Sequence, residues 1–190
     1  MAGDRKRQII EAAAQSFAAF GYKATTMEQI AKLANVGKGT IYTFFKSKEE
    51  LLDEIVSSLI AEIKVEAEQA MDSSLPFSEN VHRALYRILE FRQRHQLTAK
   101  LLQEMRSIGT IAVQEVLTKF DRAMVEFIRQ KIEAAVEKGE IRPCNAEITA
   151  FLMLKMYIAL IVDWEKDHQP LTKEQIAELF ALYFLQGLSK

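Results

Sequence analysis

A chain of 190 residues, 49% hydrophobic and 27% charged, suits a soluble globular protein, and no apolar run reaches the ~18–20 residues of a membrane span. The N-terminus enters an amphipathic segment with no apolar signal sequence, and the single cysteine, Cys144, excludes an intramolecular disulfide and a multi-cysteine zinc site; a reducing cytoplasm is the expected setting. The net charge of −1 is unevenly placed: residues 1–48 hold eight Lys or Arg against three acids, +5, which leaves −6 on residues 49–190, the pattern of a basic head that meets a polyanion on an acidic body.

Helices are expected throughout and strands nowhere, because no segment sustains period-two alternation. Pro76, Pro143 and Pro170 fall between the periodic apolar segments, and Gly21, Gly109 and Gly139 stand just past helix ends, where a left-handed residue is wanted. The first helix runs from about Asp4 to Phe20 and turns Ile9, Ile10, Ala13, Phe17 and Phe20 inward. Thr26 caps a second helix, with Gln29 closing a capping box and Met27, Ile30, Ala31 and Ala34 facing the core. A short third helix spans about Lys38 to Phe45. Ser47 to Glu50 reads as another capping box, opening a long helix with a stripe of Leu52, Ile55, Val56, Leu59 and Ile63.

Beyond the Ser73–Pro76 break, Val81, Leu85, Ile88 and Phe91 mark one helix; Leu101, Leu102, Met105 and Ile108 mark the next. A long helix follows from about Ile111 to Lys138. Asn145 caps the penultimate helix, and a third capping box at Thr172–Gln175 opens the last. The expectation is an all-α chain of about nine helices. An N-terminal helix-turn-helix domain occupies residues 1–47, and a helical bundle for dimerisation and effector binding occupies residues 48–190.

The informative stretch is Thr25 to Lys48. Two short helices joined by Asn35-Val36-Gly37 leave a tight turn in which Gly37 can take a positive φ. On the second helix Ile41, Phe44 and Phe45 share one side, and the other side presents Gly39, Tyr42, Thr43 and Lys46 beside Lys38 and Thr40. Such a surface suits a major groove. Gly39 permits close backbone approach, the threonines offer hydroxyls and methyls, Tyr42 reaches a phosphate, and Lys38, Lys46 and Lys48 supply charge.

The run from Thr25 to Leu51 resembles the DNA-binding signature of the TetR family, and Ala12 to Tyr22 resembles its first helix. The resemblance implies a homodimeric, usually repressing, regulator of double-stranded DNA operators. By position it makes Thr26, Lys38, Thr40, Tyr42, Thr43 and Lys48 the DNA contacts. Lys38 and Thr43 depart from the serine and histidine common at those places, which leaves base preference open.

In the body, Ala146 to Trp164 is apolar nearly all round, and the last helix adds Ile176, Leu179, Phe180, Leu182, Tyr183, Phe184 and Leu185. A helix without a polar face needs cover on both sides. Leu152, Ile158, Ile161, Leu179, Leu182 and Tyr183 are therefore assigned to an isologous four-helix dimer interface. Phe91, Met105, Phe120, Met124, Phe127, Met153, Met156, Tyr157 and Trp164 are the candidate lining for a small hydrophobic effector.

Catalysis finds no support. Glu79 and His82 have the Glu-x-x-His spacing of carboxylate-bridged metal bundles without the second copy such a site needs. No phosphate loop or nucleophile elbow is present, and no catalytic, metal-ligating or cofactor-binding residue is assigned. The reading is a DNA-binding regulator, a repressor released by a hydrophobic ligand. The alternative is a helix-turn-helix regulator controlled by abundance or a protein partner.

Overall fold

A computed structural model describes residues 2–95, 99, 101, 102, 105, 106 and 110–186, with side chains from residue 4 onward. The described residues form eight α-helices and no strands. They are α1 (Ala2–Phe20), α2 (Met27–Leu33), α3 (Lys38–Phe44), α4 (Lys48–Ala70), α5 (Phe77–Arg94), α6 (Ile111–Glu137), α7 (Ala146–Ile158) and α8 (Lys173–Phe180). The expected stops at Ile108 and Gly109 lie outside the described residues. The chain divides into two compact units: Met1–Ile60 with His95–Phe120, and Ala61–Arg94 with Asp121–Lys190.

In the first unit, α1 buries Ile9, Ala12, Ala13 and Phe17, a helical stripe. It ends where Gly21, at φ +81°, donates its N–H to the Phe17 carbonyl at 2.9 Å. Phe20, expected inside, is 68% exposed. Tyr22 is buried instead, past the helix end, and folds back on the Phe17 ring at 5.2 Å between centroids. The early half of α4 adds Leu51, Leu52, Ile55, Val56 and Leu59 to this core, and α6 adds Val113, Val116 and Phe120. Lys119 joins the two helices, donating to Asp53 Oδ1 at 2.7 Å and to Ser57 Oγ at 2.8 Å.

The helix starts follow from local chemistry. Thr26 and Thr172 each form a full capping box, with Gln29 and Gln175, and Asn145 caps α7 through the Ile148 N–H at 3.0 Å. The expected box at Ser47 forms by half. Ser47 Oγ accepts the Glu50 N–H at 3.3 Å, but the Glu50 carboxylate accepts the Lys46 N–H at 2.6 Å, one residue before the cap.

In the second unit, Ala67, Ala84 and Phe127 form a buried cluster with Met71, Ile88 and Ile128 against it. Ion pairs bind its helices: Glu66 with Arg87, Glu68 with Lys131, and Asp121 with Lys155. Along α5, Tyr86 donates to Glu174 at 2.5 Å and Glu90 accepts from Lys173 at 3.0 Å, which fastens the start of α8. Both α7 and α8 end in wider π turns, Ala159–Asp163 and Ala181–Leu185. Arg92 donates to the Ile161 carbonyl in the first of these and pairs with Glu165 at 3.0 Å.

Candidate DNA interface

The α2–α3 pair rests on its turn. Asn35, not Gly37, takes the positive φ, at +52°, while Gly37 is extended at φ −66° and serves as N-cap of α3. The Val36 N–H donates to the Ala31 carbonyl at 2.9 Å and the Asn35 N–H to Lys32 at 3.2 Å. That pair of bonds is a Schellman ending with asparagine in the left-handed seat, which asparagine tolerates better than other residues with a side chain. Gly37 is then free to open α3.

Ile41 is fully buried and Phe45 nearly so, while Phe44 is half-buried. Tyr42 (44% exposed), Thr43, Gly39, Lys38 and Lys46 lie outward, and Thr40 is half-buried. A Cβ at Gly39 would meet nothing within 4 Å, so nothing inside the chain itself requires glycine there. Thr43 Oγ1 donates to the Thr40 carbonyl at 2.6 Å. Thr26, also exposed, spends its hydroxyl on the α2 cap.

The cations of this surface are not equivalent. Lys38 forms an exposed ion pair with Glu28 on α2; the hydrogen bond and charge of Lys38 hold the Glu28 carboxyl below its ordinary 4.5. Lys48, at the start of α4, is turned inward. Its ammonium donates to the carbonyls of Tyr22 (2.9 Å), Thr25 (3.3 Å) and Lys23 (3.4 Å) and lies 4.5 Å from the centre of the Tyr22 ring. The Tyr22 hydroxyl donates to Glu49 at 2.8 Å. Burial first, and then the Glu49 carboxylate, push the Tyr22 phenol well above its ordinary range.

Reading residues in isolation missed this cluster and one more beneath it. Thr25 and Ser16 are a buried polar pair with hydroxyls 3.2 Å apart, and Thr25 Oγ1 lies within bonding distance of the Ser16 and Gly21 carbonyls. The only sequence signal for Thr25 is its place before the cap.

The nine candidate effector residues divide between the units. Met105 and Phe120 are buried in the first; Phe91, Met124, Phe127 and Met153 are buried in the second, where Met156 and Tyr157 are half-buried. Burial pushes the Tyr157 phenol up to about 12. Trp164 is 40% exposed and stacks on His168 at 3.9 Å. Of the candidate dimer residues, Leu152, Leu182 and Tyr183 are exposed at 49%, 51% and 68%, Leu179 is half-buried, and Ile158 and Ile161 are packed inside the unit. Ile148 and Phe151 extend the exposed apolar face of α7. Among the described residues no group of three His, Cys, Asp or Glu side chains is placed to hold a metal, and no helix is long and apolar enough to cross a membrane.

The profile of the bacterial regulatory proteins of the tetR family matches residues 9–55, and that of the tetracyclin repressor-like C-terminal domain matches residues 74–188. The uncharacterised HTH-type transcriptional regulator YhgD of Bacillus subtilis is 62% identical over 189 residues, covering 100% of this chain and 99% of its own. The HTH-type transcriptional repressor KstR2 of Mycobacterium tuberculosis is 25% identical, covering 98% of this chain and 94% of its own. The crystal structure of the transcriptional regulator FadR from Bacillus subtilis in complex with stearoyl-CoA superposes with a TM-score of 0.79 at 20% identity, over 91% of this chain and 96% of that one.

Proposed function

Because the chain belongs to the TetR family of bacterial regulatory proteins, we propose that it is a homodimeric cytoplasmic repressor, released from its operator by a small hydrophobic molecule. Family members are DNA-binding transcriptional regulators, not enzymes. The observation that carries the reading is the two-sided α3: Ile41 and Phe45 anchor it, and Gly39, Tyr42 and Thr43 are left bare on the other side. In this reading Thr26, Lys38, Gly39, Thr40, Tyr42, Thr43 and Lys46 face the major groove and its phosphates, with Lys48 behind them.

For release, support comes from the Met- and aromatic-rich interior of the second unit and from FadR, whose structure holds stearoyl-CoA. The effector acts by population shift: it binds one conformation of the dimer better, and in that conformation the two recognition helices leave the ~34 Å spacing of successive major grooves.

The test is fluorescence anisotropy of the full-length dimer on fragments flanking its own gene, at several salt concentrations. Specific binding that falls steeply with salt is expected, with a loss of at least about tenfold in Tyr42→Ala. An absence of any preferred site in genome-wide selection would refute the operator reading. An operator complex that long-chain acyl thioesters and other hydrophobic ligands all fail to dissociate would favour control by abundance or a protein partner.

A further inference from the structure

The turn between α1 and α2 turns three backbone carbonyls, of residues 22, 23 and 25, toward one point. None of them belongs to a helix ladder, and carbonyls left without donors at a half-buried site are costly. A lysine ammonium has three N–H donors and no acceptor. Lys48 places its three on these three oxygens, so its hydrogen-bonding capacity is filled within the chain. The Tyr22 ring lies against the same cation, and the next residue of α4, Glu49, holds the Tyr22 hydroxyl. The turn so gripped ends at Thr25, buried on Ser16, and the following residue is Thr26, the N-cap of α2. Where α2 starts, and at what angle, is therefore set from the first turn of α4.

We infer that Lys48 serves operator binding as a positioning residue: it fixes the turn that launches α2 and makes no phosphate contact. This rests on the DNA-binding reading, and it assigns the lysine a role other than that implied by its position in the signature. A phosphate ligand and a positioning residue differ in one measurable respect. Each lysine that neutralises a phosphate contributes about 0.9 to the slope of log affinity against log salt; a residue acting through backbone position contributes none.

The experiment measures wild type, Lys48→Met and Lys48→Arg on one operator over a range of salt, at a temperature where circular dichroism shows all three folded. Lys48→Met is expected to bind about tenfold more weakly at every salt concentration, on a line parallel to that of the wild type. Amide hydrogen exchange over residues 22–30 should quicken in the same variant. Lys48→Arg is expected to weaken binding as well, because a planar guanidinium cannot aim three N–H groups at three converging carbonyls. It also carries the test if Lys48→Met does not fold. A slope flatter by about 0.9 for each lysine replaced, or an arginine variant that binds as well as wild type, would overturn the inference and make Lys48 a phosphate ligand. Unchanged affinity and exchange in both variants would overturn it too. No binding by the wild type at any salt would remove the DNA-binding reading and this role with it.

Discussion

Asn35 and Gly139 close their helices with the same two hydrogen bonds. Val36 and Asn35 donate to Ala31 and Lys32, and Glu140 and Gly139 donate to Ala135 and Val136. Both seats are left-handed, at φ +52° and +70°. An Asn35→Gly substitution should leave the melting temperature unchanged or raise it slightly, whereas Asn35→Ala should cost about 1 kcal/mol, since only a residue without Cβ or with a short amide sits there easily. Thermal unfolding by circular dichroism reads both; an alanine variant as stable as wild type would remove the argument. Sequence reasoning found the turn but put the positive φ on Gly37, because glycine is the default choice and asparagine the exception. Lys48 escaped for another reason. Its partners are backbone carbonyls more than twenty residues away, and a carbonyl leaves no mark on residue type.

At the scale of elements, helix ends were the most legible feature, since a capping box is a local pattern that acts within four residues. The boxes at Thr26 and Thr172 form as read. The box at Ser47 is altered because Glu50 reaches the Lys46 N–H in place of the Ser47 N–H, a choice set by how the chain enters α4 from Phe45. The joint between that entry and the α1–α2 turn should respond to pH through Glu49. Burial raises the Glu49 carboxyl, but hydrogen bonds from Tyr22, its own backbone and Ser47 outweigh it and hold the group below its ordinary 4.5. The unfolded chain then takes up the proton first as pH falls. The stability from this carboxylate is thus present above pH 4.5 and lost as pH drops through the lowered value. Wild type should melt above Glu49→Gln at pH 7, and the gap should narrow as pH falls below 4.5. A gap that stays constant with pH would show that the carboxylate's charge is not its source.

For the molecule as a whole, the head was legible in its helices and its family signature, and the body only as a set of helices. The head's residues must meet a fixed external geometry, so type, order and spacing are specified together. In the body, methionine and aromatic side chains at helical spacing serve core and cavity equally well, and seven of the nine candidates share one unit while Met105 and Phe120 lie in the other. The exposed apolar face of the second unit is better determined. Ile148, Phe151 and Leu152 on α7 and Leu182 and Tyr183 after α8 are between 47% and 68% exposed. Large apolar side chains left exposed together on one helix, as Ile148, Phe151 and Leu152 are on α7, mark an interface. Charged residues at Leu152 and Leu182 cost the folded protomer little, because both side chains already face water, but in the proposed homodimer they would place like charges across an isologous contact, where each residue meets its own copy or a neighbour of it. Leu152→Glu/Leu182→Glu should therefore run as a folded monomer in light scattering with its helical spectrum intact. Its operator affinity should fall far more than that of any single α3 variant, because a monomer spans one half-site and forgoes the second half of the contacts. A double variant that stays dimeric at micromolar concentration would place the interface elsewhere, and one that unfolds would show this face to be core.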